Sequence, residues 1–275
     1  MGLRIATNLG AISATRHLAQ TQRSLEKAYS SLASGEKNSG GSDGAATFAI
    51  SEGLKAQISG LNAARNNADN ASSFIQVAEG GLNEQNNILL RMRELAIQAS
   101  SDTFGESERE MLDSEFQQIT QEVDRIAKTT SYGRNQLLNG QDKEYEFQVG
   151  AYKGESNVIK YNANTNTTNS ALGIDGLTVA DKSDARDAIE TIDEAILTIN
   201  NSRANLGAVQ NRLDSTVNHA YGQIEALSTA RSKMADTDVA EAVGQMAKHQ
   251  ALAQYQLAVL AQANQFPGQV LKLIA

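Results

Sequence analysis

The sequence predicts a mainly α-helical fold: a long antiparallel coiled-coil bundle with a small β-hairpin region, plus paired N- and C-terminal helices. Two long stretches, residues 50–96 and 192–234, space their apolar side chains alternately four and three residues apart, which is the seam of a coiled coil. Aromatic residues make up only 5% of the chain, and its single proline, Pro267, lies outside both stretches. Residues 242–275 contain no acidic side chain, so a helix there needs other helices to cover it.

The first element is a helix near the N-terminus whose apolar positions change phase once along its length. The first phase is Ile5, Leu9 and Ile12, and the second is Leu18, Leu25 and Leu32. Residues 34–46 follow, a segment of glycine and small polar residues that is typical of a loop. We therefore expect a helix, a flexible hinge, and then a second helix.

The second helix is the longest in the first half of the chain. A helix of about 50 residues, at about 1.5 Å per residue, spans roughly 75 Å. Such length is typical of a coiled coil. The pair Gly80-Gly81 is expected to bend it. A shorter helix with apolar positions from Leu112 to Ile126 follows, with Glu106 and Glu108 near its start, where acidic groups favour the helix dipole.

The pattern changes between residues 130 and 185. Residues 144–150, EYEFQVG, alternate as a β-strand does. Residues 155–170 are rich in Asn and Thr, and we expect them to be an exposed loop. The pattern of residues 130–185 therefore predicts short hairpins and loops.

The second long coiled-coil helix follows and ends near Asp236-Thr237-Asp238. The terminal helix comes next, and its apolar seam repeats the same alternation at Val239, Val243, Met246, Gln250, Ala253, Leu257 and Leu260. The order of elements is nearly palindromic. We therefore expect the two chain ends to pair with each other and the two long helices to pair likewise.

Composition argues against several classes of function. The net charge of −8 disfavours nucleic acid, which attracts basic surfaces. Glutamines interrupt the apolar runs of the terminal helix too often for membrane insertion. The N-terminus lacks the apolar core of a signal peptide, so we expect any export to proceed without a cleaved one.

Residues suited to catalysis or metal binding are scarce. The chain has no cysteine, and its three histidines, His17, His219 and His249, stand alone without ligand spacing. The motif GGSDGAA lacks the Lys and Ser/Thr of a phosphate-binding loop. We therefore expect no enzyme activity, no catalytic residues, no metal and no cofactor.

Motifs at both ends of the chain resemble bacterial flagellin, the subunit of the flagellar filament, over roughly residues 1–150 and 185–275. In the N-terminal half these are Ile5-Ala6-Thr7-Asn8, Ser34-Gly35, Asn66-Asn67-Ala68-Asp69, Gln76-Val77-Ala78-Glu79-Gly80 and Arg91-Met92-Arg93-Glu94-Leu95-Ala96. In the C-terminal half they are Leu206-Gly207-Ala208-Val209-Gln210-Asn211-Arg212-Leu213, Ala230-Arg231-Ser232 and Leu260-Ala261-Gln262-Ala263-Asn264-Gln265. One departure is the linker, where Asn38 replaces an apolar residue and Gly44 replaces an aspartate, so we expect a more flexible linker than is usual.

The resemblance implies a layered subunit. Residues 1–40 with 236–275 would form an inner coiled-coil domain, residues 41–140 with 186–235 an outer helical bundle, and residues 141–185 a short variable β and loop region. The implied assembly interface comprises Ile5, Leu9, Ile12, Val243, Met246, Leu257 and Leu260.

The resemblance also implies partners and a location. The partners are other flagellin subunits, the flagellar type III export apparatus and export chaperone, and the filament cap and junction proteins. A host Toll-like innate receptor is a further implied partner, with an epitope at Arg91, Leu95 and Glu115. The implied location is the extracellular flagellar filament, with a role in swimming motility.

Two alternatives remain open on the sequence. A hook–filament junction protein shares flagellin-like ends, although it should not carry the segment Arg91–Ala96 so fully. A helical signalling bundle also has long heptads, although it does not need a terminus without acidic residues. Formation of helical filaments after salt-induced assembly separates these alternatives from a filament subunit.

Overall fold

Long helices follow one another in the order that the sequence predicts. The computed structural model of the chain describes residues 8–37 and 44–274. Within them lie helices α1 Leu9–Ser34, α2 Ala45–Ala99, α3 Glu106–Thr129, α4 Asn169–Leu172, α5 Lys182–Ala235 and α6 Val239–Ile274. Four short strands lie between α3 and α4: β1 Ser131–Tyr132, β2 Asn135–Gln136, β3 Lys143–Gln148 and β4 Val158–Ala163.

The chain divides into two units. The bundle unit comprises residues Gln57–Glu225, and the terminal unit comprises the residues through Ala56 together with those from Ala226 onward. The divisions fall inside α2 and α5, whereas the sequence pattern suggests divisions at the breaks near residues 40 and 236. The predicted flexibility of the linker concerns mainly residues 38–43, which lie outside the described residues.

The bundle unit buries the seams that the sequence predicts. In α2 the buried positions repeat every three or four residues, and in α5 they do the same. The largest side chains that are fully buried in this unit are Ile75, Leu82, Leu89, Met92, Leu95, Phe116, Leu138, Ile174, Ile192, Ile199, Leu206 and Leu213. Since each such side chain contributes about 1.5–3 kcal/mol when it leaves water, this core accounts for the association of α2, α3 and α5.

Polar contacts fix the direction of the helices within the bundle unit. The Arg93 Nε lies 2.6 Å from Asp193 Oδ1, and Lys182 Nζ lies 2.6 Å from Asp102. The guanidinium of Arg65 lies 5.0 Å from the ring centre of Tyr221. Later residues of α5 therefore contact earlier residues of α2, so the two helices are antiparallel, as predicted.

Gly81 has a packing role that the sequence analysis did not predict. The pair Gly80-Gly81 does not interrupt α2. A Cβ atom at Gly81 would lie 2.7 Å from Thr130 Oγ1 and 2.8 Å from Leu138 Cδ1, whereas one at Gly80 would have no neighbour within 4 Å. The segment after α3 therefore packs closely against α2 at Gly81.

The variable region contains the predicted strand and one that the sequence analysis missed. Strands β3 and β4 are antiparallel, with Tyr145 opposite Tyr161 and Phe147 opposite Ile159. Tyr132, Tyr145, Phe147 and Tyr161 surround the ring of Phe74 on α2, at centroid distances between 4.8 and 6.2 Å. The hairpin is thus attached to the bundle by aromatic packing.

The expectation that residues 155–170 form an exposed loop is wrong for one face of this segment. Ile159, Tyr161, Ala163 and Thr167 are buried, while the residues between them along β4 are exposed. The Asn and Thr residues conceal a strand that has a single apolar face. Asn164 itself is exposed, so a short insertion there remains compatible with the fold.

Candidate assembly surfaces

The terminal unit pairs α1 with α6 through small side chains. Ala14, Thr21 and Ala28 of α1 and Ala242 of α6 are its buried positions along this pair. Small side chains allow two helix backbones to approach closely, but they bury little apolar area. The seam that joins the two chain ends is therefore narrow.

Polar contacts set the register of this pair. The Asn8 amide donates to the carbonyl oxygen of Ala263 at 2.8 Å, and the Gln250 amide donates to the Tyr29 hydroxyl at 2.7 Å. Near the other end, the Arg231 guanidinium lies 2.9 Å from Glu36. Asp238 Oδ1 accepts from the backbone amides of Ala240 and Glu241 and so caps α6.

Large apolar side chains lie on the outside of the same helix pair. Leu9 is 60% exposed and Leu257 is 54% exposed. The other exposed large apolar residues of α1 and α6 are Ile12, Tyr29, Val239, Val243, Leu252, Tyr255 and Val259. Exposed apolar side chains of this kind make the helix pair a candidate surface for association with another macromolecule.

The predicted assembly residues fall into three groups. Leu9, Ile12, Val243 and Leu257 are exposed, and Met246 and Leu260 are partly buried. Ile5 lies outside the described residues. In the single chain Leu257 is exposed, while Ala253, Gln256 and Leu260 form the partly buried side of α6.

A second candidate surface lies on α2 and α3 of the bundle unit. Arg91 lies 2.7 Å from Glu115 Oε1 and 3.2 Å from Glu94 Oε2. The hydrogen bond to Glu115, followed by the one to Glu94, raises the pKa of the Arg91 guanidinium above its usual value. All three side chains remain about half exposed, so they are available to a partner.

The prediction that Leu95 belongs to this surface is wrong, because Leu95 is buried. Its side chain is fully buried in the core of the bundle unit, as is the neighbouring Ala96. A helix packed on two sides buries adjacent positions, which a single heptad seam does not predict. Leu95 therefore supports the surface from below, and Arg91 and Glu115 form it.

No metal-binding cluster is found within the described residues. They contain no group of three or more His, Asp or Glu side chains that could hold a metal ion. His17 and His219 are exposed and His249 is partly buried. None of the described helices has an apolar stretch that could cross a membrane.

These surfaces define a class of protein. One unit has a core of its own, whereas the other directs large apolar side chains outward and carries only Lys248 and Lys272 as charges after Glu241. A subunit of this design is completed by association with further chains. The fold and surfaces are therefore those of a self-assembling structural subunit.

Comparison with known proteins identifies the family. Residues 5–143 match the bacterial flagellin N-terminal helical region, and residues 189–274 match the bacterial flagellin C-terminal helical region. A flagellin from Halalkalibacterium halodurans is 38% identical, covering 97% of this chain and 98% of its own length. The flagellar filament 33 kDa core protein of Treponema phagedenis is 36% identical over the same shares of both chains. The chain belongs to the bacterial flagellin family.

Solved structures agree with this assignment. The crystal structure of Bacillus cereus flagellin is similar, with 31% identity and a TM-score of 0.50, over 56% of this chain and 88% of that one. A putative flagellar hook-associated protein from Vibrio parahaemolyticus has a TM-score of 0.60 over 70% of this chain and all of that one. Its identity of 13% shows a shared fold alone.

Proposed function

We propose that this chain is the structural subunit that self-assembles into a bacterial flagellar filament, which lies outside the cell and serves swimming motility. The observation that carries this function is the exposure of the large apolar side chains on α1 and α6 in a member of the flagellin family. The family match supports a filament, and the apolar surface supplies the energy for joining its subunits. No observation favours a junction protein or a signalling bundle.

The two parts of the chain take different roles in this proposal. Residues 1–40 and 236–275 line the interior of the filament, and residues 41–140 with 186–235 form its outer helical layer. Residues 141–185 face outward. The contrast in charge supports this arrangement, because residues 242–275 carry only Lys248 and Lys272 as charged side chains, whereas ion pairs cover the bundle unit.

Association supplies the burial that the terminal unit lacks. Each leucine that is exposed in one chain and buried in the filament contributes about 1.5–3 kcal/mol. Leu9, Ile12, Val243 and Leu257 repeat this contribution in every subunit, and Met246 and Leu260 extend the same surface. Subunits of the same kind are thus the main partners.

Charge reversal of the apolar surface tests this function. We expect Leu257→Asp to fold normally, because the side chain is already exposed in the single chain. The variant should nevertheless fail to polymerise, because assembly would bury an unpaired carboxylate. Circular dichroism checks the fold, and electron microscopy after salt-induced assembly checks for helical filaments.

Leu257→Met is the matched control. This substitution keeps an apolar side chain of similar volume, and such changes usually lower stability by less than about 1.5 kcal/mol. The variant protein should still form filaments. Filaments of normal length and yield from Leu257→Asp would contradict the proposal. So would an absence of filaments from the unaltered protein under every assembly condition.

Further partners follow from family membership. We propose that the flagellar type III export apparatus and an export chaperone bind the chain before assembly, and that the cap and junction proteins contact it at the filament ends. The exposed apolar side chains of α6 suit a chaperone, because they require cover before polymerisation. We expect the export chaperone to retain dispersed wild-type protein in a pull-down and not to retain Leu257→Asp. Equal retention of the two proteins would contradict this role for α6.

The pair Arg91 and Glu115 is proposed as the epitope of a host Toll-like innate receptor. The two side chains are exposed and bonded to each other, so they form a fixed polar surface on α2 and α3. Arg91→Ala in dispersed protein should reduce the signal of a receptor reporter cell line. Arg134→Ala, which removes an exposed arginine elsewhere in the bundle unit, is the control, and equal signals from both variants would contradict this epitope.

A further inference from the structure

The bundle unit contains a groove that its own side chains leave open. This hairpin groove has a volume of about 640 Å³ and is lined by α2, by the connection between β3 and β4, and by α5. Its floor is apolar and is formed by Leu61, Val149, Ile159 and Ala220, all of which are buried. Its basic members are Arg212 and His219, both exposed on α5.

The wall formed by the hairpin connection is held in place. Gln148 Nε2 donates to the carbonyl oxygens of Gly150 and Tyr152 at 2.7 and 2.9 Å. The amide of Val149 donates to the carbonyl of Asn157 at 2.8 Å. A Cβ atom at Gly60 would lie 3.1 Å from that of Ala151, so the connection rests directly on α2. The groove is preformed and does not require rearrangement to receive a ligand.

A complementary projection lies at the other end of the same unit. This acidic knob consists of residues 106–111 at the start of α3. Met111 is 71% exposed, the highest value among the large apolar residues of the described bundle unit. Three glutamates accompany it: Glu106, Glu108 and Glu110.

The positive charge within the knob is directed inward. Arg109 Nε donates to the carbonyl of Ala99 at 2.9 Å, and its terminal nitrogen donates to the carbonyl of Ser101 at 3.1 Å. The outward surface is therefore acidic around one flexible apolar side chain. A methionine fills irregular apolar pockets readily, and the carboxylates suit the basic side of the hairpin groove.

Groove and knob cannot meet within one chain. Gln57 and Leu61 line the groove on α2, whereas the Arg109 contacts place the knob beside Ala99 at the end of that helix. At 1.5 Å per residue, the separation between Leu61 and Ala99 is about 55 Å. A contact between two different surfaces of a subunit produces an open helical filament when the rotation between successive copies does not close into a ring.

We propose that the hairpin groove of one copy receives the acidic knob of the next copy. Met111 enters the apolar floor, and Glu106 and Glu110 face Arg212 and His219. Glu155 lines the hairpin side of the groove, whereas Arg212 and His219 line the α5 side. The carboxylates of the knob are therefore directed toward α5. This contact rests on the proposed function, because it forms only when the chain polymerises.

Thiol cross-linking tests the contact cleanly, because the chain has no native cysteine. Met111→Cys and Ser215→Cys, the latter in the groove, are made as separate variants, mixed, assembled into filaments and treated with a short bis-maleimide. We expect a dimer that contains one copy of each variant. The control partner for Met111→Cys is Leu197→Cys, which is exposed on α5 outside the groove and should yield no such dimer.

Charge exchange provides the second readout. Arg212→Glu should raise the concentration needed for assembly by about tenfold through like-charge repulsion, and adding Glu110→Arg should restore it. Arg134→Glu is the control and should leave this concentration unchanged. Filaments in which Met111→Cys reacts no better with Ser215→Cys than with Leu197→Cys would overturn the groove contact and leave the proposed function intact. Wild-type protein that forms no filaments would overturn both.

Discussion

The bundle unit and the terminal unit place their large apolar side chains in opposite ways. In the bundle unit Leu82, Phe116 and Ile192 are fully buried. In the terminal unit alanines line the seam between α1 and α6, while Leu9 and Leu257 lie outside. One unit thus completes its hydrophobic core within a single chain. We propose that the other is covered by further copies.

Polar groups do not repeat this contrast. The bundle unit buries Gln85, whose amide donates to the carbonyls of Val123 and Thr167, while its Oε1 has no hydrogen-bond partner. In the terminal unit His249 Nδ1 and Gln256 Oε1 are likewise buried without hydrogen-bond partners. Buried polar atoms of this kind destabilise a fold, so the two units differ in their apolar packing rather than in their polar groups.

The largest expected effect is on the bundle core. We expect Phe116→Ala to reduce the free energy of unfolding by about 3–5 kcal/mol, through lost burial and the cavity that it leaves. Leu257→Ala, made in the terminal unit and measured on dispersed protein, should change it by no more than about 0.5 kcal/mol. Urea unfolding followed by circular dichroism measures both, and similar losses would remove the distinction between the units.

The glycine pair of α2 tests how closely the bundle unit is packed. We expect Gly81→Ala to cost about 1–3 kcal/mol, because its Cβ atom collides with Thr130 and Leu138. Gly80→Ala, one residue away in open space, should stabilise the helix by about 0.5–1 kcal/mol. Opposite signs in the unfolding free energies of these two variants are the expected outcome. Equal stabilisation would show that the helix approaches its neighbours less closely here.

The smallest expected effect concerns the surface ion pair of the bundle unit. The hydrogen bond from Lys182 lowers the pKa of the Asp102 carboxyl. Its contribution to stability is thus present above the ordinary pKa of an aspartate and is lost as the pH falls through the lowered value. We expect Asp102→Asn to lower the melting temperature slightly at neutral pH and not at all at strongly acidic pH. A difference that persists at acidic pH would assign the effect to something other than this pair.

The sequence predicted the bundle unit better than the terminal unit, for a physical reason. In α2 and α5 polar and charged residues separate the seam positions, so the pattern identifies most of the buried side of each helix. In α6 alanine and glutamine surround Leu257 on every side, and the heptad pattern does not reveal which face meets α1. The face with Ala242 and Ala253 does so, because small side chains permit the closest approach.

Two other misses have similar causes. Strand β4 was hidden by the asparagines within and beside it, a residue type that is uncommon in strands, although Ile159, Tyr161 and Ala163 alternate along one face. The hairpin groove was not predicted, because its lining comes from three elements that are distant in sequence. The exposure of Met111 likewise depends on packing, which the sequence pattern alone does not give.

Hydrogen exchange in dispersed protein and in filaments tests most directly whether the terminal unit depends on other copies. Ordering a residue costs about 1–2 kcal/mol, and the narrow seam between α1 and α6 offsets little of this. We expect backbone amides of α1 and α6 to exchange quickly in dispersed protein and slowly in filaments, while those of α2 between Leu61 and Ala99 exchange slowly in both. Equal protection of α6 before and after assembly would contradict the account.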